Sequence, residues 1–525
     1  MPSKRLTVLA LVVLTAGLTG LGSNPAGPPP PATRSVPPLE HRTDAFVPVA
    51  PEDQRTSPAL RVEHNGYVSV QVNVDAQGQN ILGDAANEPT LAVNPTNRLN
   101  MVIGWRQFDT VNSNFRQAGW GYTFDGGQTW TFPGKIEPGV FRSDPVLDTD
   151  ASGVFYYNSL TTNPYRCHVF RSYDGGVTWT TGIAARGVDK QWMVIDRTGS
   201  VGHGHIYSFW TRNYSSCNGQ FTRSTNGGNS FEACRSISSE PYWGTMAVDP
   251  NGDLFIAGDG FQIVKSTNAK NAAQQPTFTS ANVNLGGWII YGEGPNPGGL
   301  LGQAWVDVDL SNGPRRGWVY LVSSVQAGTN PCDIRFSRST DGGLTWSPAI
   351  TVNKDGNNGA WHWFGTLSVA PNGRLDVTWN DTRNNPGTYL SQVFYSYSED
   401  GGVTWSADVD VSPSFDPHVG WPQQNKIGDY THARSSNAGT HLAYSATYTG
   451  GQDVYYLYIP RYAKGDINCD GVVDFDDINA FVLALSSPAS YAAAYPNCDI
   501  ALADIDDNGV VDFDDINGFV ALLSR

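Results

Sequence analysis

The 525-residue sequence predicts a mainly β protein, a seven-bladed β-propeller followed by a small α-helical module. Three observations support this prediction. The chain is rich in glycine and aromatic residues and shows little helical patterning before residue 470, which favours many short strands joined by tight turns. One hairpin motif occurs five times, and a longer unit occurs seven times at spacings of 46 to 64 residues. Internal repeats with such a period are typical of propellers.

The repeated hairpin has the pattern Ser/Thr-x-Asp-x-Gly-x-Thr/Ser-Trp/Phe and is known as the Asp-box. Its carboxylate can accept hydrogen bonds from backbone N–H groups of its own turn. Its glycine permits a positive φ, and its aromatic ring can pack beneath the turn. Because these roles are structural, we assign no chemistry to the boxes. The central residues of the five copies are Asp125, Asp174, Asn226, Asp341 and Asp400.

The longer unit consists of two strands separated by a Gly/Asn/Asp turn, and each unit is suited to one four-stranded blade. The seventh unit lacks an Asp-box, and we expect the alternating N-terminal segment 67–75 to supply its missing strand. Seven blades are therefore predicted, with six as the alternative. The units begin at Glu88, Asp144, Lys190, Trp243, Gln303, Trp363 and Ile427.

The sequence before the repeats predicts export. Lys4 and Arg5 precede an apolar stretch over 6–21, which is the pattern of a secretory signal peptide and is too short for a comfortable membrane span. A proline-rich stretch follows, as is typical of an extended linker. We therefore expect a secreted or cell-surface protein without a membrane span. The predicted boundaries are 1–26 for the signal peptide, 27–58 for the linker, 59–462 for the propeller and 463–525 for the C-terminal module.

The C-terminal module carries concentrated negative charge, with 12 acidic residues and one basic residue from Asp466 onward. This charge argues against nucleic acid as its partner and favours bound cations. Two twelve-residue loops have oxygen side chains at positions 1, 3, 5, 9 and 12 and a glycine at position 6, and a backbone carbonyl at position 7 completes a calcium-binding pattern. We therefore predict two Ca²⁺ ions as cofactors. The predicted ligands are Asp466, Asn468, Asp470, Val472, Asp474 and Asp477 in the first loop, and Asp504, Asp506, Asn508, Val510, Asp512 and Asp515 in the second.

Both loops end in Asp rather than the Glu of a typical EF-hand, and no helix is predicted before them. The module therefore resembles a type I dockerin, in the form common on planctomycete exported proteins. This resemblance implies a cohesin-like protein partner. Loop positions 10 and 11 are Phe475-Asp476 and Phe513-Asp514, whereas dockerins often use Ser or Thr there to recognise cohesin, so the docking partner stays open.

Six cysteines in an exported chain predict disulfides. Cys217 and Cys234 flank a predicted hairpin turn almost symmetrically and suit a cross-strand bridge. Cys469 and Cys498 both lie in the C-terminal module and are expected to pair there. The sequence leaves the pairing of the other two cysteines open.

Functional residues are expected on one face of the propeller. The innermost strand of each blade starts on the face where the second strand ends, whereas the Asp-box turn lies on the opposite face. Unit starts and second-strand ends should therefore rim one central funnel. The second-strand ends supply Trp105, Arg106, Arg212, Trp379, Asp381 and Arg383, and the unit starts supply Glu88, Asp144, Asp189, His362, Asp429 and Tyr430.

Over roughly residues 60–462 the chain resembles the sialidase-like, Asp-box glycosidase superfamily. The resemblance implies an exported glycoside hydrolase of the exo-sialidase type. In such a site, convergent arginines bind the sugar carboxylate, a tyrosine acts as nucleophile, and a carboxylic acid protonates the leaving oxygen. The implied roles are substrate binding by Arg106, Arg212, Arg383, Asp381, Trp105 and Trp379, and catalysis by Tyr430, Asp144 and Glu88.

The alternative is a non-catalytic propeller that binds glycan or protein. No Phe/Tyr-Arg-Ile-Pro motif marks the first arginine, and blade repetition alone can explain arginines at equivalent positions as ion-pair partners of neighbouring carboxylates. An arginine cluster beside a tyrosine–carboxylate pair in a deep funnel would favour the enzyme. A flat or plugged axis would favour the binding protein.

Overall fold

The computed structural model describes residues 44–50, 53–211, 217–328 and 330–524. They belong to a compact unit that spans Leu39–Arg525, whereas the unit before it, Met1–Pro38, lies outside the described residues. The predicted signal peptide and most of the predicted linker also lie outside them, as does Arg212, so those expectations remain predictions.

Four short strands precede the first complete blade, and the first and fourth of them form a separate two-stranded sheet. They are β1 (Arg55–Pro58), β2 (Arg61–His64), β3 (Tyr67–Gln71) and β4 (Gln79–Leu82).

The following strands form the blades of a propeller, and consecutive strands within each blade are antiparallel neighbours. Blade 1 contains β5 (Ala85–Val93), β6 (Met101–Phe108), β7 (Gln117–Thr123) and β8 (Thr131–Ile136). Blade 2 contains β9 (Ser143–Thr149), β10 (Phe155–Thr162), β11 (Tyr165–Ser172) and β12 (Ile183–Ala184). Blade 3 contains β13 (Trp192–Ile195), β14 (Ile206–Phe209) and β15 (Phe221–Ser224). Blade 4 contains β16 (Met246–Val248), β17 (Leu254–Gly258), β18 (Gln262–Ser266) and β19 (Thr279–Asn282).

The remaining blades repeat this arrangement. Blade 5 contains β20 (Trp305–Val308), β21 (Val319–Val325), β22 (Asp333–Ser339) and β23 (Ile350–Thr351). Blade 6 contains β24 (His362–Val369), β25 (Leu375–Asp381), β26 (Gln392–Ser398) and β27 (Val409–Asp410). Blade 7 draws β28 (His432–Ser435), β29 (Gly439–Ala446) and β30 (Asp453–Pro460) from the end of the propeller.

The ring is closed by strands from the two ends of the propeller. β3 pairs with β30, so the strand order of blade 7 is β2-β3-β30-β29-β28. The N-terminal segment therefore supplies the strand that the seventh unit lacks, as predicted. β28 in turn contacts β5, which completes the circle of innermost strands. This closure confirms seven blades rather than six, and it pairs strand edges that would otherwise be open.

Aromatic side chains of the innermost strands fill the propeller axis. Trp192 packs edge to face against Trp305 and Tyr430, with ring centroids 5.2 and 5.6 Å apart. His432 stacks on Trp305 at 5.5 Å. All four side chains are buried, so this part of the axis is a packed core and not an open channel.

The strand registers place the Asp-boxes and the unit starts on opposite faces of the ring. Asn87 pairs with Arg106, and His362 pairs with Asp381, so each innermost strand begins beside the end of its second strand. The Asp-box turns follow the third strands at the other face. There Asp341 accepts hydrogen bonds from the Thr345 backbone N–H at 2.9 Å and the Ser339 hydroxyl at 2.7 Å.

The C-terminal module is helical and has its own small core. Phe481 stacks on Phe519 with ring centroids 4.2 Å apart, and a Cys469–Cys498 disulfide lies beside this core. No helix among the described residues is long and apolar enough to cross a bilayer. The helices are α1 (Asp477–Ser486), α2 (Pro488–Ala494) and α3 (Asp515–Leu523).

The cysteine predictions are confirmed for both proposed pairs. Besides the disulfide of the C-terminal module, Cys217 and Cys234 are bonded to each other. Cys167 and Cys332 are buried free thiols. Cys167 lies in β11 of blade 2 and Cys332 next to β22 of blade 5, so these two cysteines do not form a third bridge.

Candidate functional site

Near the start of most innermost strands, on the funnel face, one residue has a positive φ, which is the left-handed conformation. In blade 1 the register shifts between Asn87 and Thr90, and in blade 6 between Trp363 and Thr366. Such bulges change the direction of a side chain at the end of a strand and are common beside functional sites. The left-handed residues at the starts of six of the units are Glu88, Asp144, Lys190, Trp243, Phe364 and Gly428.

The funnel face of blades 1, 2, 3 and 7 holds eight charged side chains, which we call the funnel cluster. Four are acidic and four are basic, and all are largely shielded from water. Charges removed from water in this way must be paired or must shift their pKa values. The members of the funnel cluster are Glu88, Arg106, Arg116, Asp144, Asp189, Lys190, Lys426 and Asp429.

Direct ion pairs connect blade 1 with blade 7. Arg106 Nε lies 3.1 Å from Glu88 Oε2, and both side chains are fully buried. Lys426 Nζ lies 3.4 Å from Glu88 Oε1 and 2.8 Å from Asp429 Oδ2. Lys190 Nζ also pairs with Asp429. Burial alone would raise the pKa of Asp429, but the neighbouring Lys190 and Lys426 charges hold it well below its usual range.

The surroundings of two carboxyl groups in the cluster shift their pKa values in opposite directions. Asp144 accepts a hydrogen bond from the Lys190 backbone N–H at 2.8 Å and from the Ser143 hydroxyl at 2.9 Å. Burial opposes ionisation of Asp144, but the Lys190 charge and N–H lower its pKa overall. Burial and the Asp144 charge raise the pKa of Asp189 to about 8. Neither carboxylate oxygen of Asp189 has a hydrogen-bond partner within the described part of the chain. These surroundings favour the ionised form of Asp144 and the protonated form of Asp189.

The connection from β19 to β20, residues 283–304, covers part of this cluster. The Leu300 backbone N–H donates to Asp429 Oδ1 at 2.9 Å, and the Asn296 amide donates to the Gly428 carbonyl at 2.8 Å. A Cβ at Gly299 would lie 2.6 Å from Asp429 Oδ1, so glycine is needed for this approach. Because this connection shields the cluster from solvent, charged groups at the rim of the funnel are buried.

The structure places Tyr430 in the axial aromatic core and not on a wet funnel wall. Its ring is 3% exposed, and its hydroxyl donates to the Pro145 carbonyl at 3.0 Å. Burial, reinforced by the charges of Glu88 and Asp144, raises the pKa of Tyr430 well above its usual value. Both the contacts and the pKa shift disfavour a phenolate nucleophile here.

Arg383 and Asp381 belong to a separate ion-pair cluster in blade 6. Arg383 donates from Nε to Asp381 Oδ2 and from a terminal nitrogen to Asp408 Oδ2, both at 2.8 Å. Asp355 lies 3.4 Å from the same guanidinium. Arg106 is bonded to Glu88 and Asn87 in blade 1, so the two arginines are each held by carboxylate or amide partners of their own blade.

His362 joins this blade 6 cluster. Its Nε2 lies 3.0 Å from Asp355 Oδ2, and its Nδ1 lies 2.7 Å from the Cys332 carbonyl. One oxygen atom each from Asp355 and Asp381 and a ring nitrogen of His362 all lie within 4.8 Å of one another, a spacing that suits a metal ion. Asp381 Oδ2, however, already accepts hydrogen bonds from Trp379 and Arg383, so the arrangement is a hydrogen-bonded ion-pair network.

The two candidate tryptophans pack inside their own blades. Each donates its indole N–H to the side chain two residues further along its strand. Trp105 donates to Gln107 and Trp379 donates to Asp381, both at 2.7 Å. Both rings are essentially unexposed. The same local geometry recurs in blades 1 and 6, so the structure gives these tryptophans a packing role and no open face for a sugar.

Sequence reasoning missed three basic members of the funnel cluster, namely Arg116, Lys190 and Lys426. Lys190 opens the third unit and Lys426 directly precedes the seventh. Their positions beside unit starts were therefore a usable signal. Arg116 directly precedes β7 and is neither a unit start nor a second-strand end, so its position gave no signal.

Each acidic loop of the C-terminal module holds its position-12 carboxylate by backbone hydrogen bonds. In the first, the Asp477 carboxylate accepts the backbone N–H groups of Ile467 and Asn468, and in the second Asp515 accepts those of Ile505 and Asp506. These bonds hold the position-12 carboxylates inside the loops.

The second loop also passes a test of fit for calcium. Carboxylate oxygens of Asp504, Asp506 and Asp515 lie within 4.8 Å of one another. Asp504 Oδ1 is buried without a hydrogen-bond partner among the described residues. A hard cation that prefers oxygen ligands would satisfy this atom, so the residues present fit Ca²⁺.

Comparisons with known proteins give remote structural likeness only. No family model matches the sequence, and no curated protein matches it. A protein of unknown function from Dyadobacter fermentans is 12% identical over 77% of this chain and 99% of its own, with a TM-score of 0.40. The phage phi92 endosialidase is 10% identical over 75% of this chain and 69% of its own, with a TM-score of 0.42. A Trypanosoma rangeli sialidase is 13% identical over 78% and 60%, with a TM-score of 0.34. We infer nothing about activity from likeness at this level.

Proposed function

We propose that this chain is an exported, glycan-directed propeller that hydrolyses glycosidic bonds at the funnel cluster. The observation that carries the proposal is the pair Asp189 and Asp144. One is a buried carboxylic acid with a pKa of about 8, and the other is a carboxylate whose pKa is lowered by Lys190. Surroundings that separate the pKa values of two carboxyl groups divide the roles of acid and base, as in glycoside hydrolysis.

In this proposal Asp189 gives its proton to the glycosidic oxygen as the bond to the anomeric carbon breaks. Asp144 accepts a proton from the water molecule whose oxygen adds to that carbon. The products are the free sugar and the released hydroxyl group, and proton exchange with solvent restores both carboxyl groups. The nearby cations keep Asp144 ionised, which fits its role as base.

The charge balance of the cluster favours an anionic sugar. With Asp189 neutral, the cluster has four basic side chains and three other carboxyl groups. Burial also raises the pKa of Glu88, although the charges of Arg106 and Lys426 oppose that shift. A carboxylate-bearing sugar would neutralise the excess positive charge through charge-assisted hydrogen bonds. Sialosides are therefore the first substrates to test.

The second candidate is a non-catalytic propeller that binds glycan or protein. The filled axis around Trp192 and Trp305 favours it, as does the covering connection 283–304. If the proposed hydrolysis is correct, this connection must move to admit substrate. A binding protein needs no such opening.

The C-terminal module is proposed to bind two calcium ions and to attach the propeller to a partner or surface. Calcium supplies charge neutralisation and oxygen coordination that the twelve predicted ligands would share. Phe475 and Phe513, at matching positions of the two loops, are 72% and 79% exposed and are candidate contacts for a cohesin-like partner. The two disulfides fit an oxidising, extracellular compartment.

The test is turnover of chromogenic sialosides and a panel of other glycosides by the purified protein and two variants. Asp189→Asn and Asp144→Asn remove the acid and the base while keeping side-chain volume. Asp341→Asn, in an Asp-box on the opposite face, is the matched control. Turnover that is lost in both funnel variants and kept in the control would support hydrolysis. Glycan binding without turnover in every form would favour the second candidate.

A further inference from the structure

The two predicted calcium loops have the same residue pattern but different surroundings. A Cβ built on Gly471, at position 6 of the first loop, would meet no atom within 4 Å. A Cβ on the equivalent Gly509 would lie 2.4 Å from the Leu99 side chain of the propeller. The second loop is therefore packed against the turn between β5 and β6, and its position-6 glycine faces the propeller.

The neighbouring residue of that turn forms an ion pair with the same loop. Arg98, in blade 1, donates to Asp504 Oδ2, the position-1 carboxylate of the second loop. The Asp504 side chain is fully buried, whereas that of Arg98 is 37% exposed. A further contact joins the Asn372 amide to the Asn497 carbonyl at 3.1 Å. The module is thus docked on the Asp-box face, opposite the funnel cluster.

The two oxygen atoms of Asp504 have different roles. Oδ2 accepts from the Gly509 backbone N–H at 3.1 Å as well as from Arg98. Oδ1 is buried and has no hydrogen-bond partner among the described residues. In the first loop, both oxygens of Asp466 are bonded to backbone N–H groups of the loop itself. Only the second loop therefore combines an oriented position-1 carboxylate with a free buried oxygen.

We propose that Arg98 is a positioning residue for calcium, supplied by the propeller to the second loop. By holding Asp504 Oδ2, it leaves the buried Oδ1 available to a cation, and carboxylate oxygens of Asp506 and Asp515 lie within 4.8 Å of one from Asp504. Hydrogen bonds behind a metal ligand typically change affinity by about 10- to 100-fold. The surrounding acidic residues offset the repulsion between the guanidinium and the bound cation.

Reciprocal coupling follows from this arrangement. If docking on the propeller raises the calcium affinity of the second loop, calcium must strengthen docking by the same factor. The first loop, which Arg98 does not contact, should bind calcium independently of docking. Calcium would then fix the C-terminal module on the Asp-box face of the propeller.

Calcium titration calorimetry on the full chain tests this inference, which rests on the proposed calcium role of the module. Asp470→Ala and Asn508→Ala identify the heat signals of the first and second loops. Arg98→Ala should weaken the second site about 10-fold, and Arg98→Lys should restore much of that loss. Arg197→Ala is the matched control, because Arg197, which follows β13 of blade 3, is also 37% exposed and pairs with a buried aspartate, Asp148 of blade 2.

Limited proteolysis of the same proteins, with calcium and with chelator, measures docking. In the wild type, calcium should protect the junction between propeller and module, and Arg98→Ala should reduce that protection. Equal or tighter calcium binding at the second site in a folded Arg98→Ala protein would overturn the inference while leaving the calcium sites intact. Absence of calcium binding in the wild type would overturn the calcium proposal itself and the inference with it.

Discussion

Val70 and Tyr456 are direct cross-strand partners, although one lies near the start of the propeller and the other near its end. Their strands, β3 and β30, join the two ends of the ring within blade 7. Every other blade is built from consecutive strands, so the propeller is closed by this pairing.

Replacement of Val70 by Pro should destabilise the whole propeller. Proline removes a backbone donor from a strand that is paired on both sides, and the buried acceptor left without a partner costs about 1–3 kcal/mol. Thermal unfolding measured by circular dichroism should show a clearly lower Tm. Val62→Pro, in the edge strand β2, is the control and should have a smaller effect. Equal melting temperatures for Val70→Pro and the wild type would contradict closure through β3.

Replacement of Arg383 by Ala should lower stability. The change leaves Asp381 and Asp408 as buried carboxylates without their partner, which typically costs about 3–5 kcal/mol. Chemical denaturation gives the change in the free energy of unfolding. Arg461→Ala is the control, since its partner Glu399 is 51% exposed and such pairs contribute about 0–1 kcal/mol. Unchanged stability with a specific loss of glycan binding would instead support the substrate-binding role inferred from sequence.

Replacement of Asp400 by Ala should lower the melting temperature without changing turnover per folded molecule. Asp400 accepts the backbone N–H groups of Val403 and Thr404, both at 2.9 Å, and each bond contributes about 0.5–1.5 kcal/mol. Asp400→Asn should be milder, because Asn226 keeps the equivalent bond from Ser230 in the third box at 3.0 Å. A selective loss of turnover at an unchanged Tm would place chemistry on the Asp-box face.

The Asp-boxes should also contribute to acid sensitivity. Hydrogen bonds from Thr345 lower the pKa of Asp341 to about 2. At Asp400 burial opposes ionisation, but bonds from Thr404 lower its pKa to about 2 as well. A carboxylate with a lowered folded-state pKa stabilises the protein above its unfolded-state value and loses that effect as pH falls. Melting temperature should therefore fall between about pH 4 and pH 2, and less steeply in the Asp341→Asn, Asp400→Asn double variant. Identical slopes would refute this contribution.

Much of the fold was predictable because its determinants are local. The hydrogen bonds of an Asp-box, such as Ser339 to Asp341, connect residues within one turn, so the motif is visible in sequence. The alternation of apolar and polar residues in 67–75 was enough to predict an extra strand. The seventh unit lacks an Asp-box, which indicated where that strand pairs. Repetition then favoured seven blades over six and indicated which face carries the funnel.

The site was only partly predictable because its contacts are set by packing between blades. Trp192 and Tyr430 each follow the left-handed residue of their unit by two positions. Their edge-to-face contact assigns both to the axial core. Sequence position alone could not separate such a packing position from an exposed one. The pairing of Lys426 with Glu88 depends on the closure of the ring, which brings residues from its two ends together.

The pH dependence of kcat/KM for the best sialoside or other glycoside tests the central claim most directly. Asp189 must be protonated to act as the acid, so the rate of the wild type should fall as pH rises through about 8. Asp189→Asn should lose at least about 100-fold in rate and the alkaline fall with it, while remaining folded. Retention of the wild-type rate and pH profile by a folded Asp189→Asn protein would contradict the account, as would the absence of turnover across the glycoside panel.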